Sequence, residues 1–171
     1  MFAPQKGASP ESISRMDEWL SHYAALANSV SPKADPNHPG AGAAGGLGFA
    51  FLTFTNATLE SGVQIVLEET RLEEHVRKAD IVVTGEGRLD GQTVMGKAPI
   101  GVADLAKKHG KKVIAFSGAV TDDAVLVNAH GIDAFFAITP GVLSLKEALD
   151  PANARKNLTN TARQVFRLLL L

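Results

Sequence analysis

Apolar and polar residues in the second half of the chain alternate in blocks that predict a parallel sheet. Apolar blocks predict three strands, at 80–84, 112–117 and 132–138. Periodic stretches between and after them predict helices, at 99–109, at 122–130 and from about Leu145 to the end. Strands and helices that alternate with short connections are typical of a parallel sheet covered by helices on both faces. We therefore predict an α/β fold, Rossmann-like and doubly wound.

The first part of the chain carries helical signals. Ser9-Pro10-Glu11 supplies an N-cap residue, a proline in the first turn and an early acid, so a helix should run from about Pro10 to near Val30. Residues 31–39 contain prolines and turn formers that end it. We place a boundary here, with a helix and linker in 1–38 and a glycine-rich segment plus the α/β domain in 39–171.

Two further helical stretches are expected before the first strand. One runs from Ala43 to about Thr53 and is opened by glycine, and the other runs from Ser61 to Lys78 with an interruption near Thr70. The strand that follows, 81–84, consists of apolar or β-branched residues, which suit a strand buried on both faces.

Charged and polar residues crowd the stretch after this strand. Five of them could carry chemistry: Glu86, Arg88, Asp90, Thr93 and Lys97. Glycines at 85, 87, 91 and 96 let a loop take conformations closed to other residues. In open α/β sheets ligands bind outside the carboxyl ends of the strands, so this loop is the candidate site.

The same stretch resembles a known family. Thr84-Gly85-Glu86-Gly87-Arg88-Leu89-Asp90, with Gln92-Thr93 and Gly96-Lys97, is similar to the signature of the bacterial type-1 glycerate kinases. Further similar segments follow the family's order: 3–8, the glycine-rich 39–48, 116–118 and 144–149. Ala3 stands where the family usually has glycine.

The resemblance implies that part of the family's sequence is missing. Family members are about twice this length, and their early Ser-Phe-Lys and Asp-Gly-Gly-Glu-Gly segments do not occur here. The chain therefore looks like a C-terminal portion whose partner is the missing N-terminal half. Three strands are few for such a sheet, so that half should supply neighbouring strands. Without it an exposed sheet edge invites pairing, which makes a homodimer conceivable.

The resemblance also implies ATP and Mg²⁺ as cofactors and glycerate as substrate. Phosphoryl transfer needs a cation on the phosphates and an acceptor hydroxyl held in line. Glu86 and Asp90 are oxygen ligands suited to Mg²⁺, and Asp90 could accept the hydroxyl proton. Arg88 could clamp a carboxylate, and Lys97 could meet a phosphate. The substrate- or phosphate-binding candidates are Lys6, Gly42, Gly85, Gly87, Gln92, Thr93, Ser117 and Gly118.

A structural alternative to this site remains open. Glu86, Arg88 and Asp90 could pair among themselves to brace a glycine-rich loop, with Lys97 facing solvent. The segment Thr121-Asp122-Asp123 is expected to start a helix, with Thr121 or Asp122 as its cap.

The glycine-rich segment allows a third interpretation. Gly40-Ala41-Gly42-Ala43-Ala44-Gly45 has the spacing of a dinucleotide fingerprint, which would indicate a dehydrogenase. That fingerprint requires a preceding strand, which 34–39 cannot form. The alternatives are a helix N-terminus that holds a phosphate or carboxylate, and glycines that permit close helix packing.

Composition excludes several classes of partner. Seventeen basic and eighteen acidic residues leave a net charge near zero, so neither nucleic acid nor a membrane surface is indicated. Cysteine is absent, which fits a cytoplasmic protein, and no apolar run approaches the roughly 18 residues of a membrane span.

The resulting hypothesis is a glycerate kinase. By resemblance, it transfers the γ-phosphoryl group of ATP to a hydroxyl of D-glycerate, with 2-phosphoglycerate as the favoured product, and the isolated fragment is expected to be inactive. The alternative is a non-catalytic α/β module that binds a small anionic metabolite or a nucleotide.

Overall fold

The chain divides into two compact units, Met1–Glu60 and Ser61–Leu171, in a computed structural model that describes residues 7–171. The boundary predicted after residue 38 falls inside the first unit and stays a prediction about domain organisation. Lys6 lies outside the described residues.

The described part of the first unit, residues 7–60, contains two helices around a small apolar core. Helix α1 spans Pro10–Val30, as predicted, and the Ser9 hydroxyl caps it by accepting the Ser12 N–H at 3.2 Å. Helix α2 spans Ala43–Phe54. Ala27, Ala41 and Phe49 form the buried core, and the Tyr23 ring packs edge-on against Phe49 with centroids 5.5 Å apart.

The glycine-rich segment opens α2 in a way the sequence did not indicate. Ala44, Gly45 and Gly46 have left-handed φ values of 52°, 70° and 93°, so regular helix begins after them rather than at Ala43. A Cβ on Gly48 would clash with the carbonyl oxygen of Gly40, which supports close packing as the reason for that glycine. No strand occurs in the described residues before Gly40, as predicted.

The second unit is built on a three-stranded parallel sheet, which confirms the predicted fold class. Strands β1 (Ile81–Leu89), β2 (Lys112–Val120) and β3 (Ala134–Ala137) lie in the order β1-β2-β3. The helices are α3 (Gly62–Glu69), α4 (Leu72–Lys78), α5 (Ala98–Lys108), α6 (Leu145–Ala148) and α7 (Pro151–Leu169), with 3₁₀ helices at Thr93–Met95 and Asp122–His130. Among residues 7–171, none of the helices has the length and apolar character needed to cross a membrane.

Helices cover both faces of this sheet. On one face Val82 and Val113 pack with Ala103 of α5. On the other face Ile114 and Phe116 pack with Val165 of α7. Apolar burial on both faces is the principal stabilising term for such a sheet.

Strand β1 corrects two predictions. It continues to Leu89 instead of ending at residue 84, so Glu86 and Arg88 lie in the strand and not in a loop. The predicted burial on both faces is also wrong, because the Val83 side chain is 48% exposed. The physical reason is that the apolar cluster on the α7 face, with Ile114, Phe116 and Val165, does not extend over Val83 on the edge strand β1.

Candidate functional site

The candidate site begins where the side chains of β1 and β2 stop alternating regularly between the two faces of the sheet. Val82 and Leu89, seven positions apart, both pack in the same apolar cluster, although strict alternation would place them on opposite faces. The change falls at Gly87 and Gly118, where a Cβ on Gly118 would lie 2.7 Å from the Gly87 carbonyl oxygen. These two glycines therefore permit a close approach of the two backbones shortly before Asp90.

Ser117 stabilises this irregular stretch from inside the protein. Its buried hydroxyl accepts the Leu89 N–H at 3.0 Å and donates to the Ala119 carbonyl at 2.7 Å. A buried hydroxyl that makes both bonds satisfies backbone groups that would otherwise lack partners. Ser117 thus fixes the residue immediately before Asp90.

Thr93 connects the two carboxylate-bearing positions. Its hydroxyl donates to Glu86 Oε1 at 2.5 Å and accepts the Asp90 N–H at 3.2 Å. The side chain is fully buried. Thr93 therefore contacts other residues of the candidate site, and its predicted part in binding substrate stays a prediction.

Lys97 lies between the two carboxylates. Its Nζ is 3.3 Å from Asp90 Oδ1 and 3.8 Å from Glu86 Oε2. Asp90 Oδ1 also accepts the backbone N–H of Gln92 at 3.0 Å. The Glu86 and Asp90 side chains are only 19% and 20% exposed, so one ammonium group serves two half-buried carboxylates.

Arg88 is the most exposed of the charged side chains at this site. Its Nε lies 3.7 Å from Asp90 Oδ2, and 66% of its side chain is exposed. Of the structural alternative, the pairing of Arg88 with Asp90 is present, whereas Lys97 contacts both carboxylates instead of facing solvent alone. Because an exposed guanidinium keeps most of its donors free, Arg88 can offer a bidentate contact to an anion.

Local conformation places Lys97 where these contacts are possible. The 3₁₀ helix Thr93–Met95 ends at Gly96, whose φ of 90° is a conformation that favours glycine. The chain then turns so that Lys97 takes the N-cap position of α5, with a proline in the first turn of the helix.

The glycines predicted to bind substrate or phosphate do not all lie in the same unit. Gly85 and Gly87 lie on β1, and a Cβ on Gly85 would clash with the carbonyl oxygen of Phe116. Gly118 lies on β2 beside Gly87. Gly42 belongs to the first unit, where nothing lies within 4 Å of a Cβ built on it. Their predicted contacts with substrate or phosphate stay predictions.

Sequence reasoning missed Asp123 as a neighbour of this turn. Its carboxylate lies against Gly91, next to Asp90. A hydrogen bond from the Thr121 hydroxyl, with smaller contributions from the Gly91 N–H and the charge of Arg88, lowers the pKa of Asp123. Its position two residues after Thr121 mainly indicated a helix start.

Three comparisons with known proteins identify the family. Residues 1–170 match the family model described as the glycerate kinase family. This chain belongs to the glycerate kinase family. It is 43% identical over 171 residues to glycerate 2-kinase from Escherichia coli strain K12, covering 100% of this chain and 44% of that relative. It is 44% identical over 165 residues to glycerate kinase from Bacillus subtilis strain 168, covering 96% of this chain and 43% of that relative.

A solved structure agrees with this assignment. A crystal structure assigned as a glycerate kinase 2 from Salmonella typhimurium LT2 is 40% identical, with a TM-score of 0.65. The match covers 100% of this chain and 44% of that one. The chain therefore spans less than half the length of the relatives it matches, and it corresponds to their C-terminal portion.

Proposed function

We propose that this chain is the C-terminal portion of a kinase that transfers the γ-phosphoryl group of ATP to a hydroxyl of D-glycerate. The observation that carries the proposal is the pair of half-buried carboxylates, Glu86 and Asp90, that share Lys97 in a member of this family. The similarity to a glycerate 2-kinase, the E. coli relative, favours 2-phosphoglycerate as the product.

Asp90 is the best candidate for the group that accepts the hydroxyl proton. Its backbone is held by Thr93 and its Oδ1 by the Gln92 N–H and Lys97, while Oδ2 lies 3.7 Å from Arg88 Nε. A carboxylate with a fixed backbone and an accessible oxygen suits general-base work. Arg88 would hold the glycerate carboxylate, because its guanidinium is exposed beside Asp90.

The donor set of Glu86 and Asp90 fits Mg²⁺, which prefers carboxylate and other hard oxygens. When bound, the ion would neutralise charge on the phosphate oxygens. Within the part of the chain that the structure describes, no group of three or more histidine or acidic side chains is placed to hold a metal. The remaining ligands would then be water, phosphate oxygens or groups from outside this chain.

The rest of the kinase would supply the other half of the site. Since the chain covers 44% of the E. coli relative, we expect ATP contacts to come in part from the remaining portion, and the isolated chain to be inactive. That portion would also cover the exposed edge of β1; without it, the edge is open to pairing with a second copy. We place the whole enzyme in the cytoplasm.

A chimaeric kinase tests this proposal, with this chain replacing the matching segment of E. coli glycerate 2-kinase. We expect ATP- and Mg²⁺-dependent phosphorylation of D-glycerate, with phosphorus NMR showing phosphate on the C2 oxygen. Binding of glycerate and ATP with no turnover, by a folded chimaera, would instead favour the non-catalytic binding module.

The dehydrogenase interpretation is tested on the same protein. No strand precedes Gly40 in the described residues, so we expect NAD titration to give no binding. Micromolar NAD affinity without any response to ATP would overturn the kinase proposal.

A further inference from the structure

The turn that carries Asp90 is held from both sides by one segment of another element. On the side before Asp90, the Leu89 carbonyl accepts the Thr121 backbone N–H at 3.1 Å. The Thr121 hydroxyl also lies within 3.2 Å of that carbonyl oxygen. The residue before Asp90 is thus fixed by the start of the 3₁₀ helix Asp122–His130.

Asp123 holds the other side of the turn. Its carboxylate lies so close to Gly91 that a Cβ there would clash with Oδ2, and the nearby Gly91 N–H contributes to the lowered pKa of Asp123. The Thr121 hydroxyl donates to Asp123 Oδ1 at 2.5 Å, which is shorter than its contact with Leu89. This hydrogen bond orients the carboxylate toward Gly91.

The polar groups of this segment are not used to cap their own helix. Thr121 occupies the N-cap position, but its side chain makes no capping hydrogen bond. The expected helix start is confirmed and Thr121 takes the N-cap position, but its hydroxyl lies against Asp123 and Leu89 and forms no side-chain cap. Besides Thr121 and its own backbone N–H, the exposed Asp123 carboxylate faces Gly91 and Arg88, which flank Asp90.

We propose that Asp123 is a positioning residue for the reaction at Asp90. It fixes the Gly91 N–H, and together with Thr121 it holds the backbone on both sides of Asp90. The Asp90 carboxylate then presents Oδ2 in one direction. The catalytic consequence of this inference rests on the proposed function. The contacts of Thr121 and Asp123 with the residues on either side of Asp90, which we call the clamp, lie within this chain and can be measured without turnover.

The first test measures the clamp in the 171-residue chain. Amide hydrogen exchange of Gly91 is followed by NMR in the wild type and in three variants. We expect Asp123→Ala to accelerate exchange at Gly91 by about tenfold or more, because the acceptor is lost. Asp123→Asn keeps an oxygen acceptor and should restore most of the protection. Asp122→Ala, at the exposed neighbouring acid, should leave it unchanged.

The second test measures the consequence in the chimaeric kinase. Asp123→Ala should lower kcat by about tenfold with little change in the KM for ATP, the pattern of a misplaced catalytic group. Asp123→Asn should recover most of that loss. Unchanged exchange at Gly91, or faster exchange with wild-type kcat, would overturn the inference. A wild-type chimaera without turnover would count against the proposed function, and the exchange data would still decide whether the clamp exists.

Discussion

Two groups of ion pairs in the second unit use similar residues in different ways. At the end of β1, Glu86 and Asp90 share Lys97 at 3.8 and 3.3 Å. Near the ends of α4 and α5, Glu73 alone pairs with both Arg77 and His109, each at 2.8 Å. In the first group two acids share one nearby cation, and in the second two basic groups share one acid.

This difference separates a candidate site from a structural contact. Both bonds to Glu73 are short and the side chain is 48% exposed, so its charge is already compensated by partners and by water. At the β1 end the ion-pair distances are longer, from 3.3 to 3.8 Å, the carboxylates are half-buried, and Arg88 is largely exposed. Such a group keeps capacity to bind an added ligand or cation.

The largest expected difference between the two groups is catalytic. In the chimaeric kinase, Asp90→Asn keeps the size of the side chain but removes its charge and basicity, so kcat should fall at least about 100-fold. Glu73→Gln, the matched control, should leave kcat unchanged. Circular dichroism should show both variants folded. Equal rates for the two variants would reduce Asp90 to a bracing role.

A second difference concerns stability. Thr93→Val removes a fully buried hydroxyl that donates to Glu86 and accepts from the Asp90 N–H. We expect the free energy of unfolding of the chain to fall by about 1–3 kcal/mol, because polar groups are left unsatisfied. Urea unfolding measures it. Thr159→Val, the same change at an exposed position on α7, should stay within about 0.5 kcal/mol of the wild type. A loss at Thr93 no larger than that would contradict the described network.

A smaller effect is expected at Arg88, whose proposed role depends on geometry more than on charge. Arg88→Lys keeps the charge but loses the planar fork, so the KM for glycerate should rise about tenfold while kcat changes little. Steady-state kinetics of the chimaeric kinase give both constants. Arg77→Lys is the control and should change neither. A fall in kcat at constant KM would show that Arg88 acts in the transition state instead.

The smallest expected effect is on how the folding stability contributed by Glu73 and its partners, Arg77 and His109, depends on pH. Hydrogen bonds from Arg77 and then His109 lower the pKa of Glu73 below its ordinary value of 4.5. Because the folded-state pKa is the lower one, the stabilisation is present above 4.5 and is lost as the pH falls through the folded pKa. The stability advantage of the wild type over Glu73→Gln should therefore shrink in this acidic range. An advantage that grows with acidity would refute the assignment.

The sequence predicted the three strands because their apolar blocks are unambiguous, and the candidate site that it indicates, at the polar end of the first strand, stays a prediction. It did not predict that β1 continues through Gly85-Glu86-Gly87, since that segment lacks apolar residues and is held by its pairing with β2. Local patterns also cannot reveal contacts between distant residues. Asp123 and Gly91 meet only because β1 and β2 are adjacent, and the same pairing places Ser117 beside Leu89.

The central claim is that this chain carries part, but not all, of a glycerate kinase site. The most direct measurement compares ATP-dependent phosphorylation of D-glycerate by the isolated chain, by the portion of the E. coli relative that it does not match, and by the two together. We predict that neither portion is active alone and that activity appears in the mixture and is lost when the chain carries Asp90→Asn. Robust turnover by the isolated chain, or a mixture whose activity is indifferent to Asp90→Asn, would contradict the account.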